Sequence, residues 1–228
     1  MAGSYFTKAS FTFLTKLSEN NDREWFDAHK QDYEDNVRTP ALDFINDMEP
    51  DLKKISKHFD AIPKKMGGSL MRIYRDVRFG KDKRPYKTNV GIQFRHALGK
   101  DVHAPGFYLH IEPGECFVGV GIWRPDSTAL QKIRTAIVEK EKKWISVIND
   151  KTFKKQFNRV GDTLTNPPRG FNKEHPMIDE LKRKDHLGIS PLTEATVTSA
   201  RLKTQVVNKF NTGKPFMQFL CKSLELNF

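Results

Sequence analysis

Two hydrophobic periods divide this chain. Between residues 9 and 60 apolar side chains recur every three or four positions. Phe13 and Leu17 are four apart; Phe26, Tyr33 and Val37 share a face with His29; Leu42, Ile45, Met48, Leu52, Ile55 and Phe59 continue the step. That spacing predicts helices. Asn20-Asn21 breaks the first stripe, and Asn21 with Glu24 reads as a capping box opening the second. Thr39-Pro40 reads as an N-cap with proline at the first helical position. Pro50 falls inside the third stripe and predicts a kink or a restart.

After Gly67-Gly68 the period drops to two. Met71 and Ile73 alternate with Arg72 and Tyr74; Val90, Ile92 and Phe94 with Gly91, Gln93 and Arg95; Phe107, Leu109 and Ile111 with Tyr108, His110 and Glu112; Val118, Val120 and Ile122 with Gly119, Gly121 and Trp123. Four strands near 70–76, 89–96, 106–112 and 116–123 are expected, each with one apolar face. The short link Pro113-Gly114-Glu115 suggests an antiparallel meander. Helical spacing returns after Pro125-Asp126-Ser127, through Leu130, Ile133, Ile137 and Trp144. Residues 158–176 are irregular, and a short helix carries Ile178 and Leu181. A last helical run, 200–226, passes Leu202, Val206, Phe210, Phe216 and Leu220, with Gly213 and Pro215 as interruptions. Helices, then strands, then helices, with no repeat and no linker, predict one α+β domain over residues 1–228. Its central, mainly antiparallel sheet should carry the N-terminal and C-terminal helices on one face.

Composition adds limits. Of 228 residues, 37% are hydrophobic and 17 are Phe, which demands a packed core. No apolar run is long enough for a membrane-spanning helix. Met1 to Tyr5 lacks a basic stretch followed by an apolar one, so no signal peptide is expected. Cys116 and Cys221, 105 positions apart, form neither a disulfide framework nor a zinc motif, and reduced thiols in the cytoplasm are the expectation.

The net charge is +11, unevenly spread. Residues 19–60 hold 12 acidic and 6 basic side chains, whereas residues 72–88 hold seven basic and two acidic ones. Residues 151–228 add 14 basic and 7 acidic. A field this strong favours an anionic partner, either a small molecule or a nucleic acid. Complementarity also predicts that acids such as Glu24, Asp27, Asp32, Glu34 and Asp35 meet the basic loop or the basic C-terminal half.

The densest polar stretch runs from Arg72 to Thr88. Arginine forks suit carboxylate or phosphate oxygens, and lysines add point charge. Asp76 and Asp82 either orient those cations or bind a metal; an internal salt-bridge network is the competing reading. There is no Walker A spacing. The candidate ligand-binding residues are Arg72, Tyr74, Arg75, Asp76, Arg78, Lys83, Tyr86 and Lys87, joined by Arg95, Tyr108 and Arg169.

The spacing Arg75-Asp76-x-Arg78-Phe79-x-x-Asp82-Lys83-x-Pro85-Tyr86-Lys87-Thr88 resembles the hallmark of the family called domain of unknown function 2461. Asn21-Asp22-Arg23-Glu24-Trp25-Phe26 is similar to that family's opening motif. Gly119-Val120-Gly121-Ile122-Trp123 resembles its glycine strand, and Pro168-Arg169-Gly170-Phe171 with His175-Pro176 its later signature. The resemblance spans about residues 9 to 190. It implies one intact domain and assigns no catalytic residue.

Pleat arithmetic singles out a second face. If the apolar strand residues meet the helices, then Arg72, Tyr74, Gln93, Arg95, Tyr108, His110 and Glu112 share the other side. Gly119 and Gly121 leave room there for something to approach. A cleft over this face, edged by the Arg75–Lys87 loop, is the expected site. His110 and Glu112, two positions apart on one strand, are its candidate catalytic pair. His-x-Glu also opens the zinc-deaminase signature, but the Pro-Cys-x-x-Cys partner is missing. No Gly-x-Ser-x-Gly elbow occurs, and no metal-ligand spacing stands out. His29, on a helix face, reads as structural. Three functions stay open: an enzyme on an anionic small molecule, a nucleic-acid binder without a recognised motif, and a non-catalytic interaction domain. The sequence points to no cofactor and to no oligomeric state.

Overall fold

The computed structural model describes residues 3–78, 80–99 and 104–228. Phe79 of the arginine-rich motif lies outside them, as does Met1. The first half is helical: α1 Lys8–Glu19, α2 Arg23–Ala28, α3 Lys30–Tyr33, a π-helical turn Glu34–Arg38, and α4 Thr39–Ile55. Strand β1 (Phe59–Asp60) follows, then β2 Val90–His96, β3 Gly106–Glu112 and β4 Glu115–Ile122. After α5 Ser127–Glu139, α6 Glu141–Ile148 and α7 Lys151–Gln156 come β5 Asn158–Val160, α8 Ile178–Leu181, β6 His186–Leu192, α9 Glu194–Val197 and α10 Leu202–Ser223. The sheet is antiparallel throughout in the order β1-β2-β3-β4-β6-β5. The fold is α+β.

Local chemistry sets several boundaries. Thr7 caps α1 in a capping box with Ser10, and Asp126 and Asp150 accept from the first turns of α5 and α7. Helix α2 is capped by Asp22, whose carboxylate accepts from the Trp25 amide, and not by the expected Asn21–Glu24 box. Asn21 is engaged elsewhere: its side chain donates to the Tyr86 carbonyl and accepts from the Tyr86 amide. Pro50 sits inside α4 and Pro215 inside α10 without ending either helix. Gly213 earns its place by contact, since a Cβ there would stand 2.8 Å from Val120 Cγ1.

Alternation in β2, β3 and β4 holds as expected. Ile92, Phe94, Phe107, Leu109, Ile111, Val118, Val120 and Ile122 are all buried. Phe210 of α10 lies against Phe94 and Phe107, with ring centroids 5.9 and 4.7 Å away. Burying each such ring contributes about 1.5–3 kcal/mol. The expected strand at 70–76 does not form as one. Ser69 and Met71 still bond to the β2 edge, but the chain then leaves it as a hairpin pairing Tyr74 with Tyr86. Pro85 opposite Arg75 has no N–H to extend the ladder. Strand β6 had no counterpart in the sequence pattern. Gly188 and Pro191 interrupt its apolar alternation, and it inserts between β4 and β5.

The acidic helices do not neutralise the basic loop. Glu34 pairs with Arg38 and Lys65, and Asp51 with Lys54 and Lys203. No ion pair among the described residues joins an acid of 19–60 to an arginine of 72–95. The loop's arginines instead find Asp76 and Asp82 within the hairpin itself. A carboxylate two to seven residues away costs less chain entropy to reach than one on a distant helix. Among the described residues no helix is long and apolar enough to cross a membrane.

Candidate functional site

The polar row on β3 forms as pleat arithmetic expects. The Tyr108 hydroxyl lies 3.1 Å from His110 Nδ1, and His110 Nε2 lies 3.1 Å from Glu112 Oε2. The Thr88 hydroxyl donates to the other carboxylate oxygen of Glu112. Asn89 Nδ2 is 3.4 Å from His110 Nδ1. An amide nitrogen only donates, so His110 accepts at Nδ1 and donates from Nε2 to Glu112. The imidazole also stacks on Phe117 of β4, centroids 4.7 Å apart and rings 7° from parallel. Thr88 and Asn89 close the basic hairpin, so these two bonds tie its base to the sheet.

The glycines of this face make room for the protein's own atoms. A Cβ on Gly91 would stand 2.7 Å from the Tyr108 hydroxyl and 2.9 Å from the Met71 sulfur. One on Gly119 would stand 3.4 Å from Tyr108 Cβ. Gly121 has φ of +131°, and its Cβ would meet the His186 carbonyl oxygen of β6 at 2.0 Å. Gly91 and Gly121 are thus hemmed in by the protein's own atoms, whereas a Cβ on Gly119 would make only ordinary contact with Tyr108. Burial, and then the Glu112 carboxylate, push the Tyr108 phenol up to about 12.

The basic hairpin is largely self-paired. Arg75 meets Asp82 at 2.6 Å, Arg84 meets the same carboxylate at 2.7 Å, and Arg78 meets Asp76 at 2.7 Å. These contacts hold both carboxyls well below the usual range, with Arg84 and then Arg75 acting on Asp82 and Arg78 on Asp76. Lys83 caps the Val77 carbonyl. The internal network is therefore present, and both aspartates are spent on arginines. Tyr86, expected at the site, is a core residue: it is 2% exposed and stacks on Phe26 at 4.1 Å. Tyr74 remains half exposed beside it. Arg169 is exposed in the 161–177 segment and makes no hydrogen bond or ion pair to the polar row.

Lys87 differs from its neighbours. It is partly buried and forms no ion pair among the described residues. Burial, and then the nearby Arg72, push its ammonium pKa down. Arg72 and Arg95 likewise have no ion pair among the described residues. Two concavities, of about 400 and 290 Å³, lie elsewhere, at α1–α2 and at Lys140, Lys143 and Lys222. His29 is structural, stacked on Trp25 and bonded to its carbonyl. Cys116 and Cys221 are buried free thiols.

One residue escaped the sequence reading. Glu115 stands directly opposite Glu112 in the β3–β4 register. The nearest ligand atoms of His110, Glu112 and Glu115 all lie within 4.8 Å of one another. The tight Pro113-Gly114 link, with Gly114 at φ of +80°, is the signal that could have placed them together.

A family model described as "conserved hypothetical protein" matches residues 9–219. The chain belongs to the DUF2461 family. The matched region takes in nearly all of α1, the whole sheet and nearly all of α10, and so reaches far beyond the arginine-rich hairpin. Among curated proteins none matches the chain.

Proposed function

We propose that this DUF2461 domain binds a small anionic molecule, phosphorylated or carboxylated, at the base of the basic hairpin. Lys87 and Arg72 supply the charge, with Tyr74 in the same hairpin; Arg95 on β2 and Tyr108 on β3 are the sheet residues of this reading. The observation that carries this reading is Lys87, a partly buried ammonium with a like charge for a neighbour and no carboxylate partner among the described residues. Such a group lowers its free energy by acquiring an anion. The self-paired Arg75, Arg78 and Lys83 then shape the hairpin and set its field rather than contact the ligand. Thr88, the residue after Lys87, bonds Glu112, which in turn bonds His110, and any chemistry that accompanies binding runs through that pair.

Thermal shift tests it, with phosphate, citrate, nucleotides, sugar phosphates and a short single-stranded oligonucleotide as ligands. A small anion that binds the folded state raises the melting temperature by mass action. Lys87→Ala should remove that rise, and Arg78→Ala should keep it. A rise only with the oligonucleotide favours nucleic-acid binding. No rise with any ligand, or a rise unaffected by Lys87→Ala, overturns the proposal.

A further inference from the structure

We propose that His110, Glu112 and Glu115 bind a divalent transition metal of the zinc or manganese type. The motivation is an imbalance of charge. Glu112 and Glu115 are cross-strand partners, and like charges facing each other across a ladder destabilise it. Glu194 adds a third carboxylate at the same turn, accepting from the Gly114 amide. In a chain of net charge +11, no lysine or arginine among the described residues pairs with any of the three. What they meet is the His110 imidazole, on Glu112 alone.

Geometry and outer partners fit a cation. Ligand atoms around a tetrahedral zinc stand roughly 3.4 Å apart. His110 Nε2 and Glu112 Oε2 are already 3.1 Å apart, and Glu115 is an exposed side chain that needs only a small rotation to join them. Each inner ligand has a support outside the cluster. Thr88 holds the Glu112 oxygen that faces away from the histidine, and the Tyr108 hydroxyl stands at His110 Nδ1. Such supports orient ligands in metal sites. Loading the metal needs Nε2 as a lone pair, so the imidazole proton moves to Nδ1, where the Tyr108 oxygen accepts it and the Asn89 amide nitrogen, a donor, turns away. No net proton leaves the histidine. An imidazole nitrogen with two carboxylates is a borderline donor set, suited to zinc or manganese, and three protein ligands leave coordination positions open. The anion proposed above sits at Lys87, one residue before Thr88, the outer partner of Glu112. The metal shares residues with that reading but does not depend on it.

The experiment is calorimetric titration of EDTA-treated, dialysed full-length protein with Zn²⁺ and with Mn²⁺, no other ligand present. One equivalent of at least one metal should bind. Glu115→Gln and His110→Ala should each weaken it tenfold or more, and Thr88→Val by about 10–100-fold, the range for lost outer support. Circular dichroism of each variant checks folding. Because Glu115 is exposed, Glu115→Gln remains interpretable if His110→Ala fails to fold. Absence of stoichiometric binding, or binding unchanged in Glu115→Gln, overturns the metal site. The anion thermal shift is repeated in EDTA: its persistence without metal binding sinks only this proposal, and its absence with metal binding intact sinks only the anion reading.

Discussion

The side-chain amide of Asn21 closes on both backbone polar groups of Tyr86, donating to the carbonyl at 3.1 Å and accepting from the amide at 3.0 Å. This pair mimics one rung of a β-ladder and pins the hairpin to the N-terminal helices. Phe26 of α2 completes the clamp by stacking on the Tyr86 ring. Asn21→Ala leaves two backbone groups without partners, a cost of about 1–3 kcal/mol. Chemical denaturation should show the loss, and hydrogen exchange should show faster opening at the amides of residues 85–88. Unchanged stability would mean that water replaces the clamp.

Gly91 tests whether Tyr108 is held in place by packing. Gly91→Ala drives a methyl into the Tyr108 hydroxyl and the Met71 sulfur. Overpacking of this kind costs about 1–3 kcal/mol. Tyr108 must rotate, so its bond to His110 should be lost, visible as a changed His110 ring signal in NMR. A variant as stable as the parent, with that signal unmoved, would refute the packing role.

Two substitutions in the hairpin should behave differently. Arg78 is three-quarters exposed and pairs with Asp76. Arg78→Ala should leave the melting temperature nearly unchanged, as exposed pairs contribute little. Asp82 binds both Arg75 and Arg84. Asp82→Asn should speed hydrogen exchange across residues 75–85 without unfolding the domain, and added salt should narrow the difference from the parent. Equal effects of both changes would contradict the central place of Asp82.

His186 gives the protein a predictable response to acid. It is fully buried at the start of β6, edge-on to Trp144, and neither ring nitrogen has a hydrogen-bond partner among the described residues. Burial first, then Arg159, Arg183 and Arg134, push its pKa well below the ordinary value. In the unfolded chain the imidazole takes up a proton near pH 6.5, which the folded state refuses. Its contribution to stability is therefore complete above about pH 6.5 and is lost as the pH falls toward the folded pKa. The melting temperature should drop across that window, and His186→Leu should flatten the drop. An identical pH profile in parent and variant would remove His186 as the cause.

What the chain determines by itself is periodic and local. Alternation alone assigns Phe107, Leu109 and Ile111 to the core and Tyr108, His110 and Glu112 to the other face, because a strand has no other way to distribute side chains. Helical spacing likewise places Ile45, Met48, Leu52 and Ile55 inside, with Leu42 of the same stripe only partly buried. The pairing of His110 with Glu112 follows from the same pleat. Tertiary structure decides everything that depends on a distant partner. It takes Asn21 from a cap to Tyr86, inserts β6 against β4, packs Tyr108 and Met71 against Gly91, and turns the hairpin's arginines onto its own aspartates. It also sets Glu115 opposite Glu112, where register rather than spacing brings two carboxylates and an imidazole together. Periodicity reports which side of an element is apolar; it carries no information on which polar groups must desolvate one another once those sides are packed.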